Sequence, residues 1–211
     1  EFDIDIDMHL DFGPDPSQLD LDYVCKLTDK YNYGGRVAIG HVTKLSAASP
    51  QAFAQAARQM ADAGVALTVL PSTDLYLMGR HMEHSVMRGV TQVHKLIQAG
   101  VNCSLSSNNI LNPFTPFGDC SLIRMANLYA NIAQVGRRED IVECFEMVTR
   151  RSAKLMGVQD YGLEVGCWAD MVVLDCPDRA SAVAELGRPI YGFKRGRMTF
   201  THEPATMHRP A

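Results

Sequence analysis

Apolar and acidic residues alternate through Ile4-Asp5-Ile6-Asp7-Met8 and lead into His9. A period of two predicts a half-buried strand over about residues 3–8. After the loop Gly13-Pro14-Asp15-Pro16, the apolar spacing changes. Leu21, Val24, Cys25 and Leu27 recur at helical intervals, with Ser17 as the expected cap and an end near Tyr31, before Gly34-Gly35. Arg36-Val37-Ala38-Ile39-Gly40 predicts a second strand, again followed by a histidine, His41. Pro50 opens an Ala- and Gln-rich helix that runs to Ala63 and stops at Gly64. Val65 to Leu70 reads as a third strand broken by Pro71, with a long loop from Ser72 to Gly89 beyond it. A helix over about 90–99 precedes a fourth strand, Val101 to Leu105, and the loop Ser106 to Gly118. Helices are expected at about 119–135, capped by Asp119, and at about 139–156.

Strand tops thus recur near residues 9, 41, 71 and 106. A strand-plus-helix unit takes roughly 30 residues, so this rhythm predicts an α/β fold with a parallel sheet, as a barrel or doubly wound. A complete eight-fold barrel takes about 250 residues, and the four units here are half its complement. Because the chain opens inside a strand-like run, it is expected to be the C-terminal part of a longer polypeptide. A small complete α/β domain is the alternative, at the cost of an exposed edge strand. From Tyr161 onward the pattern changes to short strands and tight turns, at 161–166, 169–175 and 190–200 with a turn at Gly196. That predicts a small β module appended to the barrel.

Composition narrows the function classes. Hydrophobic residues make up 46% and charged residues 21%, values typical of a folded globular protein. The formal net charge of −4 argues against nucleic acid or an anionic membrane as the main partner. No apolar run approaches the roughly 18 residues that a spanning helix needs. The six cysteines form no CxxC pair and read as reduced core thiols, which points to a reducing, cytoplasmic compartment. Two strands that each end in an imidazole suit a metal site at the strand tops of a barrel. His81 and His84 read as solvated loop residues.

The motifs Asp5-Ile6-Asp7-Met8-His9-Leu10-Asp11, Arg36 through Thr43, Leu77-Met78-Gly79-Arg80 and Asn112 through Gly118 occur in an order that resembles the amidohydrolase superfamily. The resemblance is to the C-terminal half of its cytosine deaminase-like and N-alkylammelide hydrolase-like branch. It implies strands 5–8 of a (β/α)8 TIM barrel over residues 1–157, followed by a C-terminal β-sandwich segment over 158–211. It further implies one divalent metal ion, zinc or iron, with His9 as a ligand. His41 would polarise the substrate oxygen and reach the metal. The segment around Asp74 and Arg80 would shape the substrate pocket, together with Phe12 and Asn109. The missing N-terminal half of the barrel would supply the remaining ligands, and a homo-oligomer is left open.

Two positions depart from the family pattern. Asn108 stands where the strand-eight aspartate is expected, and Phe12 stands where the deaminases carry a glutamate. An amide cannot accept a proton at neutral pH, and a phenyl ring cannot shuttle one. His41, Asp11 and Asp74 are therefore the candidate substitute bases, and Phe12 becomes an apolar wall. Two readings stay open. One is a metal-dependent hydrolase acting on a C–N bond of a small heterocycle with an altered proton-transfer set. The other is a catalytically degenerate member that binds a small ligand without turnover.

Overall fold

A computed structural model of the chain describes residues 2–203 and 205–208. Four strands, β1 (Ile6–Leu10), β2 (Val37–His41), β3 (Val65–Val69) and β4 (Cys103–Leu105), form one parallel sheet in sequential order. Their registers pair Met8 with Ile39, Ile39 with Leu67, and Leu67 with Cys103. β2 is buried along its whole length, as expected for an inner strand covered on both faces. β1 lies at one edge and is largely exposed, with Ile6 at 38%. Arg36 ties that edge down by binding Asp3 and Asp5 while its guanidinium lies over the Tyr33 ring.

Helices join successive strands. α1 (Asp20–Lys30) follows β1, and α2 (Pro50–Ala63) follows β2 after a 3-10 turn at Thr43–Ala47. α2 has the expected bounds. Ser49 caps it by accepting from the Ala52 N–H, Pro50 occupies its first turn, and Gly64 closes it at φ 67°. α1 begins later than expected, and Ser17 is not its cap. Leu19 holds the cap position without a side-chain bond, and Asp11 takes over that role from a distance. Beyond β3, the segment from 72 is not all loop: α3 (Pro71–Leu77) starts on the proline that ends the strand. α4 (Val93–Gln98) leads into β4.

The expected helix over 139–156 is two, α6 (Arg138–Glu146) and α7 (Arg150–Leu155), broken at Thr149. α5 (Leu122–Ile132) is capped by Ser121, not Asp119. Asp119 instead accepts from the Ser121 N–H and binds Arg124. Leu21, Ile39, Leu45, Met60, Leu67, Leu96, Tyr129 and Met147 are sealed in the core between sheet and helices. Each such aliphatic side chain stabilises the fold by about 1.5–3 kcal/mol relative to exposure.

Residues 161–166 form no strand. The C-terminal sheet is antiparallel, built from β5 (Met171–Asp175), β6 (Arg188–Lys194) and β7 (Arg197–Thr201). Its β6–β7 turn passes through Arg195 and Gly196, both at positive φ. A helix that the pattern did not show, α8 (Arg179–Ala184), is capped by Asp178. It docks on α5 and α6 through Asn127 to the Val183 carbonyl, Arg138 to Asp178 and Arg179 to Glu146. All six cysteines are free. Cys25, Cys103 and Cys144 are core thiols, whereas Cys120 is exposed.

Candidate active site

The carboxyl ends of the parallel strands turn sharply. Asp11 after β1, His41 and Val42 at the end of β2, and Asn108 after β4 all lie in the left-handed region, at φ between 48° and 70°. Non-glycine residues rarely hold that conformation, and a β-branched valine resists it most. The turns aim side chains over the strand tops.

The His9 and His41 rings meet there. Their centroids are 4.7 Å apart at an interplanar angle of 81°, and His9 Nδ1 lies 3.2 Å from His41 Nε2. Gly40 makes this approach possible, because a Cβ at that position would lie 3.1 Å from His9 Cδ2. His41 is nearly enclosed at 7% exposure, whereas His9 is open to solvent. On its far side, His41 Nδ1 is 2.6 Å from Asp74 Oδ1, and Asp74 is fully buried. Asp74 Oδ2 accepts from the Leu70 N–H at 3.2 Å. Burial pushes the Asp74 carboxyl above its ordinary value, and the hydrogen bond from His41 opposes the shift. Asp74 therefore stands behind His41, on the side away from His9, with no exposed surface. The cause is α3, which turns the carboxylate inward.

Asp11 is also engaged elsewhere. Its two oxygens accept from the Asp20 and Leu21 N–H groups, both at 2.9 Å, and Lys44 Nζ lies 3.2 Å from Oδ1. It caps α1 and is not a free base. Phe12, 44% exposed, stands edge-on to His41 at 5.4 Å between centroids. The ring thus forms an apolar flank beside the imidazole pair.

The loop after β4 is internally knit. Asn109 Oδ1 accepts from Asn112 Nδ2 at 2.8 Å, and Asn112 Oδ1 accepts from the Phe114 and Thr115 N–H groups. Thr73 and Thr115 share a buried hydroxyl contact of 2.6 Å that ties this loop to α3. Asn108 is half-buried, and no hydrogen bond joins it to His9 or His41 among the described residues. Arg80 is exposed and stacks over Tyr76 at 5.0 Å. Gly40, Lys44 and Thr73 were not singled out from the sequence. The glycine immediately before His41 was the available signal for close backbone approach.

The imidazole pair suits one cation. With Zn–N bonds of about 2.0–2.1 Å and tetrahedral angles, two nitrogen donors sit roughly 3.3 Å apart, close to the 3.2 Å seen here. Among the described residues, no group of three His, Cys, Asp or Glu gathers as a metal cage. Among the described residues, His9 and His41 are the pair that could offer two donors to such an ion.

The sequence profile of the amidohydrolase family matches residues 1–200. The chain belongs to the amidohydrolase family. Among amidohydrolase relatives, a pterin deaminase of Rhizobium rhizogenes is 30% identical over 172 residues, which cover 81% of this chain and 39% of that protein. An N-isopropylammelide isopropyl amidohydrolase of Pseudomonas sp. is 25% identical, covering 96% of this chain and 47% of the relative. A 5-methylcytosine deaminase from Klebsiella pneumoniae superposes with a TM-score of 0.92 at 24% identity, over 98% of this chain and 50% of that one. That likeness is one of fold. This amidohydrolase chain spans half or less of the length of each of these relatives. No helix among its described residues is long and apolar enough to cross a membrane.

Proposed function

We propose that residues 1–157 are strands 5–8 of a (β/α)8 barrel, and that 158–211 contribute to a terminal β-sandwich. The whole would be a metal-dependent hydrolase acting on a C–N bond of a small heterocycle, by deamination or amide hydrolysis. The observation that carries this reading is the convergence of His9 Nδ1 and His41 Nε2 at 3.2 Å, with a buried carboxylate behind His41. His9 and His41 would hold a divalent ion, zinc or iron, and the missing N-terminal half would complete its ligands. A bound ion of this kind lowers the pKa of its water toward ~7.

This chain's residues then bind, orient and exclude. Phe12 offers the ring or an N-alkyl group of the substrate an apolar face. Asn108 and Asn109 from the β4 loop, and exposed Arg80, would contact the substrate. Asn108 and Phe12 cannot take a proton at neutral pH, and Asp11 and Asp74 are already engaged. Proton transfer therefore falls to His41 or to a group of the upstream half. The six free thiols support a reducing compartment such as the cytoplasm.

A second reading is binding without turnover, favoured by the amide at Asn108 and the ring at Phe12. Metal analysis of the protein with its upstream half, together with assays on pyrimidines, triazines and hydantoins, separates the two. The hydrolase reading expects about one ion per chain, turnover of a panel member, and loss of activity in His9→Ala. It also expects higher metal occupancy in Asn108→Asp. Full activity in His9→Ala would sink it.

A further inference from the structure

Strand pairing alone would send the His41 ring the wrong way. The β1–β2 register sets His41 beside Leu10 and Gly40 beside His9. Registered neighbours in a sheet share a face, and successive residues alternate between faces. Leu10 packs against the hydrophobic core, so an extended His41 would point there too. Instead, His41 at φ 70° and Val42 at φ 48° and ψ 41° turn the ring toward His9. This left-handed pair is what forms the imidazole contact. A β-branched valine holds such a conformation only where its surroundings impose it.

Part of that constraint comes from far along the chain. The Val42 carbonyl accepts from the Leu45 N–H at 3.1 Å and from the Thr91 hydroxyl at 2.7 Å. A carbonyl only accepts, so Thr91 is the donor. The Leu45 bond is local and moves with the turn. Thr91 lies 49 residues away, just ahead of α4. Its surroundings are fixed: Val90 and Val93 are buried, and the Thr91 carbonyl accepts from the Val93 N–H at 2.9 Å. The Tyr129 hydroxyl then holds the first turn of α4 by accepting from the His94 N–H at 3.0 Å. Thr91 and Val42 both have 0% exposure, so no water stands ready to replace the hydroxyl.

We propose that Thr91 is a positioning residue, whose hydroxyl pins the left-handed Val42 peptide to the start of α4 and thereby holds the His41 ring against His9. It touches neither ring and acts through the backbone between them. The inference deepens the site of the proposed function and rests on that reading only in its metal readout. Groups that orient a ligating histidine typically change metal affinity about 10–100-fold when removed. The low end of that range is expected here, since the Leu45 bond to the same carbonyl remains.

The test compares Thr91→Val, which removes the hydroxyl at nearly constant shape, with Thr91→Ser, which keeps it, in the protein with its upstream half. Three quantities are read in the folded state: backbone chemical shifts of His41 and Val42, which report left-handed φ; the nuclear Overhauser contact between the His9 and His41 rings; and Zn²⁺ affinity by titration. In Thr91→Val the shifts should move toward extended values, the ring contact should weaken and Zn²⁺ affinity should fall about tenfold. Thr91→Ser should restore all three. Lower stability in Thr91→Val with ring contact and affinity unchanged would reduce Thr91 to a structural residue and overturn the proposal. A serine variant that behaves like the valine variant would overturn it too. Val42→Gly supplies an independent check, because glycine holds left-handed backbone without strain. In that background, adding Thr91→Val should leave the ring contact in place, and an undiminished loss would count against the proposal. Failure of the wild-type protein to bind Zn²⁺, with the shifts and ring contact responding as expected, would remove the metal reading and leave the Thr91 assignment standing.

Discussion

Asp11→Ala should destabilise the protein by about 3–6 kcal/mol, since each of the two hydrogen bonds that its charged carboxylate accepts contributes roughly 1.5–3 kcal/mol. The carboxylate lies two residues beyond His9 and is buried, with only 4% exposure. It satisfies the Asp20 and Leu21 N–H groups at the start of α1, where Leu19 offers no side-chain cap. A negative charge at a helix amino terminus also complements its dipole. Removing it leaves Lys44, only 21% exposed at its side chain, with the Gln18 carbonyl as its remaining partner. Asp11→Asn keeps one acceptor for the Asp20 N–H and loses the charge, so its cost should be about half that of the alanine variant. Urea unfolding followed by far-UV circular dichroism measures both, with an unchanged slope showing that the same surface unfolds. A cost under about 0.5 kcal/mol for Asp11→Ala, or equal costs for the two variants, would refute the capping argument. Loss of activity with stability intact would return Asp11 to the role of a base.

Gly40→Ala places a methyl 3.1 Å from the His9 ring, so Zn²⁺ affinity measured by titration should fall while stability changes by less than about 1 kcal/mol. The buried Tyr129 hydroxyl accepts from the His94 N–H at 3.0 Å and lies 2.8 Å from His94 Nδ1. Tyr129→Phe should accordingly cost about 1–3 kcal/mol in denaturant titration. Burial pushes the His94 imidazole below its ordinary value of 6.5. Below that pH the unfolded chain binds the proton more readily. The His94 contribution is therefore complete above about pH 6.5 and is lost as pH falls through the folded-state value, which thermal melts from pH 8 to 5 would show. Burial also pushes the Cys25 thiol up to about 11 and the Cys144 thiol to about 12. With a thiol-reactive disulfide at pH 8, exposed Cys120 should react in the native protein, and Cys25, Cys103 and Cys144 only after unfolding. Fast native labelling of those three would contradict their burial.

Elements specified by their own local chemistry were legible in the sequence. The bounds of α2 follow from Ser49, Pro50 and Gly64 alone, and the four parallel strands follow from apolar runs ending in turn residues. Features that need distant partners were not legible. Pro71 read as a strand breaker because its second role, opening α3, depends on packing that the local pattern does not carry. The loss of the Ser17 cap to Asp11 required knowing that β1 and α1 meet again across the loop. At the site, His9 and His41 could be placed at strand ends, but their 3.2 Å contact could not be read from their spacing. Asp74 was noticed as chemistry, yet its contact with His41 is set by α3 and could not be read from its place in the chain.

The loops bearing the two histidines are stitched to each other. The Asp11 carbonyl accepts from the Lys44 N–H at 3.1 Å, Thr43 Oγ1 accepts from the Gly13 N–H at 2.8 Å, and Lys44 reaches the Asp11 carboxylate. One strand–helix–strand unit therefore carries the donor spacing in its own backbone. Under the proposed metal role, such a unit would act as a prefabricated chelating clip. Its neighbours would then need only to fill the coordination positions left open, so the surrounding framework could diversify the reaction without redrawing the clip.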